Sequence, residues 1–143
     1  MSAGRGLYTP EVLALAMELS AAPWDEALPH KGNARSRCCG STIDIALATD
    51  AAGAITAIGL RPHACAVGQA AAALFVRSAK GRDQVSIAAS RAALADWLAG
   101  EGPQPDWPEL DLLTTARTYP ARHGAILLAW DAALDALPTP DQC

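Results

Sequence analysis

Residues 42–60 read TIDIALATDAAGAITAIGL, two apolar-rich segments broken once by Asp50-Ala51-Ala52-Gly53. In an extended chain successive side chains point to opposite faces, so such alternation marks strands with one buried face. Ile43, Ile45 and Leu47 fall on one face, and Thr42, Asp44 and Ala46 on the other. The DAAG step turns the first strand into a second, with Ile55 and Ala57 facing inward. The spacing therefore predicts an antiparallel hairpin.

The period then changes abruptly. After Arg61-Pro62-His63 comes ACAVGQAAAALFVRSAKG, whose alanines, Leu74 and Phe75 describe a helix stopped at Lys80-Gly81. A further helix is expected from Val85 to Leu98, before Gly100, and a short one from Leu110 to Arg117. The last opens at Pro120 and carries Ile126, Leu127, Trp130, Leu134 and Leu137 on one stripe. At the front, Thr9-Pro10-Glu11 supplies a capping hydroxyl, a first-turn proline and an acid at the positive end of a helix. Residues 21–37 hold two prolines and no clear period, which predicts a loop, and EGPQPDWPEL reads as a proline-rich surface connection. The order of elements, a helix, a hairpin and then four helical pieces, is that of an α+β fold.

At 143 residues the chain is expected to form one domain, spanning 1–143. With 51% hydrophobic and 18% charged residues it is too apolar to be disordered. A net charge of −4 argues against a sequence-independent grip on nucleic acid, and no apolar run reaches the length of a membrane span. VLALAMELSAAP faintly imitates a signal peptide, but Pro10, Glu11 and Glu18 interrupt it, which predicts a cytoplasmic protein. In that compartment four cysteines point to metal binding or reactivity more often than to disulfides.

Cys39 precedes the first strand, and Cys65 opens the helix after the second, 26 residues later. A hairpin returns to its own start, so the two are expected to be neighbours. A helix start favours a thiolate at Cys65. His123 sits in the first turn of the last helix, where the same end disfavours an imidazolium and leaves the neutral ring that a metal requires. Two thiolates and an imidazole suit zinc or iron. Taken singly, each residue has a plainer explanation, since free cysteine is often a small core hydrophobe and a lone histidine is usually structural. No CxxC or HExxH spacing settles the matter.

Taken together, YTPEVL, CCGSTIDIALATDAAGAITAIGLRPHAC and PARHGAILLAW, in that order over roughly residues 7–137, resemble the NifU-like, or IscU/SufU-type, iron–sulfur cluster scaffold family. By this resemblance Cys39 and Cys65 are the first two ligands, and His123 matches the histidine before the third cysteine in IscU-type members. The resemblance implies a small antiparallel β-sheet with a hairpin core covered by helices, the NifU N-terminal or SufE-like α+β fold, and a non-enzymatic assembly protein that holds an iron–sulfur cluster or zinc. Its implied partners are a cysteine desulfurase, which supplies sulfur, and apo iron–sulfur proteins, which receive the product. Two positions depart from the pattern: Ser41 stands for the usual aspartate, and Gly124 for the third cysteine.

Successive side chains of an extended segment diverge, so Cys39 is expected to face a metal and Cys38 to pack elsewhere. Cys143, at the end of the sequence, reads as a bystander, and His63 ranks behind His123 as a ligand. Arg122 could assist an anionic sulfur species or simply be solvated. Trp24, Trp97, Trp107 and Trp130 read as core anchors and loop covers rather than a ligand cage. Two other readings stay open. One is a zinc-dependent enzyme, since three protein ligands leave a fourth position free. The other is a metal-free paralogue that acts as an interaction module.

Overall fold

The computed structural model describes residues 9–37 and 40–138. Helix α1, Pro10–Met17, starts as expected: the Val12 amide donates to Thr9 Oγ1 at 3.2 Å. A 3₁₀ turn, Glu18–Ala21, continues it. Three strands follow, β1 His30–Arg35, β2 Thr42–Thr49 and β3 Ile55–His63, in the antiparallel order β1-β2-β3. Then come α2 Ala66–Ala79, α3 Gln84–Leu98, a 3₁₀ segment Leu110–Thr118, and α4 Pro120–Ala136. The α+β layout holds, with two corrections: the expected loop at 21–37 contains β1, and the short helix near residue 110 is 3₁₀.

The β2–β3 turn is built by Asp50. Its Oδ1 accepts from the amides of Ala52 and Ala54 at 2.9 and 3.0 Å, and Gly53 takes the positive φ of 87° that the turn requires. Ile43, Ile45, Leu47 and Ile55 are fully or almost fully buried under the helices. Ala46, expected on the open face, is buried as well, because the segment Pro23–Asp25 crosses the sheet there. Gly59, paired with Ala46, has no room for a side chain, since a Cβ would lie 2.7 Å from the Pro23 carbonyl oxygen. Ala57, expected inward, is only half-buried, and Leu60 lies in the core instead.

Helix α4 crosses the inner face of β1 and β2 and also packs on α2 and α3. Surrounded in this way, it buries Ala125, Ile126, Leu128, Ala129, Trp130, Ala132 and Ala133, a band that takes in Ile126 and Trp130 of the predicted stripe but leaves Leu127 and Leu134 half-buried. It approaches β1 so closely that a Cβ on Gly32 would meet the Ala132 carbonyl oxygen at 2.4 Å. Trp107 and Trp130 pack against Phe75 with ring centroids 5.5 and 5.2 Å away, and Trp107 Nε1 donates to the Leu74 carbonyl at 2.8 Å. The tryptophans are thus mostly anchors: Trp97 is buried too, and half-buried Trp24 covers the outer face of the sheet beneath Arg61.

Candidate metal and sulfur site

Three connections bring the flanks of the cysteine loop, Cys65 and His123 to one end of the sheet. The first is strand register. Arg35 pairs with Thr42, and Thr42 with His63, so the β1–β2 loop and the exit of β3 lie side by side. That loop is closed by the Ser36 amide donating to the Ser41 carbonyl at 2.8 Å and the Gly40 amide donating to the Ser36 carbonyl at 3.1 Å, with Gly40 at φ 71°. Cys38 and Cys39 fall between these flanks in sequence and lie outside the described residues, as does Cys143. The expectations for those three cysteines therefore have no structural counterpart.

The second connection joins the helix starts. Gly68, in the first turn of α2, lies against α4, and a Cβ there would stand 3.2 Å from Ala125 Cβ. Cys65, expected within that first turn, is the N-cap residue instead, and its thiol makes no capping hydrogen bond. It is half-buried against the core. Gln69 steadies the segment: its amide donates to the Cys65 carbonyl at 2.9 Å, and its side chain to the Ala64 carbonyl at 2.7 Å. The Cys65 sulfur is thus placed by its backbone and is not consumed in holding the helix.

The third connection is between α4 and the cysteine loop. Gly124 faces Ser36, so that a Cβ would come within 2.8 Å of Ser36 Oγ. Consecutive residues of α4 therefore touch both partners: Gly124 the loop that carries Cys39, and Ala125 the helix that Cys65 opens. His123 immediately precedes them, half-buried. Its Nε2 stands 2.9 Å from the carbonyl oxygen of Arg117. A carbonyl only accepts, so Nε2 donates, and the neutral ring keeps its lone pair on Nδ1. Metal-binding histidines characteristically donate their other ring nitrogen in this way.

The carbonyl that holds His123 is what sequence reasoning missed. It lies at the end of the 3₁₀ segment, where Arg117 is clamped by Trp97: Arg117 Nε donates to the Trp97 carbonyl at 2.9 Å, and the guanidinium lies 4.9 Å from the ring centroid. Any residue can offer a carbonyl, so no side-chain type announces it.

Among the described residues no three His, Cys, Asp or Glu side chains are grouped to hold a metal ion. Of the expected trio, Cys65 and His123 are described, and no carboxylate stands where Ser41, itself buried, lies in the loop. The two donors fit a soft or borderline metal, with one thiol free of other bonds and one ring with a nitrogen to spare. His63 is exposed on the outer face of the sheet, and Arg122 is half-buried. A hollow of about 290 Å³ lined by Thr49, Asp83, Val85 and Leu137 lies at the opposite end of the sheet and takes no part. No described helix is long and apolar enough to cross a membrane.

No protein-family model and no curated protein matches the chain. Solved structures do. A crystal structure of a nitrogen-fixing NifU-like protein, N-terminal part, from Brucella abortus is 28% identical, with a TM-score of 0.82 over 94% of each chain. A putative iron–sulfur cluster assembly scaffold protein for the SUF system from Fervidobacterium islandicum shares the fold at 15% identity, with a TM-score of 0.80 over 94% of this chain and 98% of that one. A hypothetical protein shares it at 18% identity, with a TM-score of 0.65 over 87% and 95%.

Proposed function

Because the chain fits the NifU/IscU/SufU-type family of iron–sulfur scaffolds, we propose that it accepts sulfur, and with it iron or zinc, at Cys39, Cys65 and His123. The observation that carries this reading is the meeting of the cysteine loop, the N-cap of α2 and the first turn of α4 at one sheet end. The scaffold role is one of assembly rather than turnover. Its partners on this reading are a cysteine desulfurase as sulfur donor and apo iron–sulfur proteins as acceptors.

The chemistry required of the chain is modest. A thiolate of this protein attacks the outer sulfur of the donor's persulfide. The donor's sulfur–sulfur bond breaks, its cysteine leaves as a thiolate, and a persulfide forms here without net oxidation. The unengaged Cys65 thiol suits that step, and His123, held through Nε2, offers Nδ1 to iron or zinc. Bound metal would supply a positive centre that stabilises thiolate and sulfide.

Anaerobic incubation with ferrous iron, cysteine and a cysteine desulfurase tests the reading, with visible absorption, iron and acid-labile sulfide measured together. Cluster or zinc bound by the wild type and lost in Cys39→Ala, Cys65→Ala and His123→Ala is the expected result. Retention in all three variants would overturn the ligand set.

A further inference from the structure

Asp44 is the sole acidic residue in the three strands, which also hold Lys31, Arg35 and Arg61. The whole chain is nevertheless acidic, at −4. Pairing places these charges on the outer face. Asn33, Asp44 and Arg61 form one cross-strand row, and Arg35, Thr42 and His63 form the next, beside the cysteine loop. In the inner of these rows the charge is already matched: Asp44 accepts from the Asn33 amide and from Arg61 Nε at 3.1 Å. In the outer row it is not. Arg35 and, just beyond it, Arg37 are exposed and have no carboxylate partner among the described residues.

We propose that this end of the sheet, with Arg35 and Arg37 as its unmatched charges and His63 beside them, docks an acidic segment of a protein partner that works at the cysteine loop. Unmatched positive charge on an acidic protein is a local feature that orients a partner at short range and speeds encounter. A nucleic acid is the poorer fit, because the patch spans only two rows of a small sheet, and a long polyanion would also meet the acidic remainder of the surface. Only the partner's business at the cysteines rests on the scaffold reading.

The probe is a fluorescein-labelled dodecapeptide of alternating glutamate and serine, followed by anisotropy with the full chain at about 20 mM salt, where screening is weak. Saturable binding is expected. Arg35→Glu should weaken it at least about tenfold, and Arg35→Gln, which keeps a neutral side chain there, about threefold. Lys80→Glu makes the same change in net charge at the far end of α2, roughly 20 Å away by helix rise, and should weaken it less than about twofold. Equal losses from Arg35→Glu and Lys80→Glu, or no saturable binding, would overturn the proposal. So would a dT12 oligonucleotide that binds more tightly than the peptide and depends on Arg35. Circular dichroism of each variant confirms the fold. Neither metal nor desulfurase enters the measurement, so its failure and a failure of the scaffold reading are separable.

Discussion

His123 Nε2 donates to the main-chain carbonyl of Arg117 across 2.9 Å, which ties the first turn of α4 to the end of the 3₁₀ segment before it. This bond decides which ring atom is available to a metal. Nitrogen NMR of the ring in metal-free protein at neutral pH should report the Nε2–H tautomer. Zinc titration should then move the Nδ1 resonance and leave the Nε2 proton in place. Finding the proton on Nδ1 would detach His123 from the site.

Asp44 offers a test of the sheet face. The Asn33 side-chain amide, opposed in part by burial and aided by Arg61, holds its carboxyl below the ordinary carboxylate range. A depressed folded value means stability that is present at neutral pH and lost as pH falls through that value. Asp44→Asn should therefore cost about 0.5–1 kcal/mol at pH 7, as for a part-exposed pair, and almost nothing in acid strong enough to protonate the folded carboxyl. Urea denaturation under the two conditions checks this. A difference that persists in acid would assign the effect to packing rather than charge.

The parts of the fold that announced themselves did so through large apolar side chains. Ile43, Ile45 and Leu47 alternate because one face of β2 meets the helices, and Asp50 with Gly53 writes the turn into the chain. Strand β1 gave no such signal. Its inward residues are His30, Gly32 and Ala34, kept small at the centre because α4 presses against Gly32. Ala46 misled for the opposite reason: alternation was right about the strand, but a distant segment covers its second face. At the site, Cys65 and His123 were legible from their places at helix starts. The Arg117 carbonyl was not, since backbone groups carry no residue signature.

Sulfur delivery should discriminate among the four cysteines. Cys65 stands at a helix start with its thiol unengaged in capping, and Cys39 lies in the loop that Gly124 abuts through Ser36. Sulfur transfer needs a thiol that is not held in other bonds. After incubation with a desulfurase and cysteine, peptide mass spectrometry should find the added sulfur, about 32 Da, on Cys65 or Cys39 rather than Cys38 or Cys143. Label confined to Cys143 would remove this end of the sheet from the reaction.

The sharpest test uses Gly124, which the sequence resemblance sets at the position of a third cysteine. A Cβ on Gly124 would lie 2.8 Å from Ser36 Oγ but 3.5 Å from Ser36 Cβ, so the hydroxyl alone makes the clash. Gly124→Cys should therefore destabilise the protein by roughly 1–2 kcal/mol through crowding, although leaving glycine in a helix gains up to about 1 kcal/mol. Ser36→Ala removes the obstructing atom. In that background the cost of Gly124→Cys should fall by about 1 kcal/mol, which a double-mutant cycle of unfolding free energies measures. The added thiol then lies between the cysteine loop and His123, where it can complete a closed four-ligand set with Cys39 and Cys65. Zinc affinity of the double variant, measured by chelator competition, should exceed that of Ser36→Ala at least about tenfold, or roughly 1.4 kcal/mol. A well-folded double variant with unchanged affinity would mean that the first turn of α4 does not face the metal, and His123 would lose its place among the ligands.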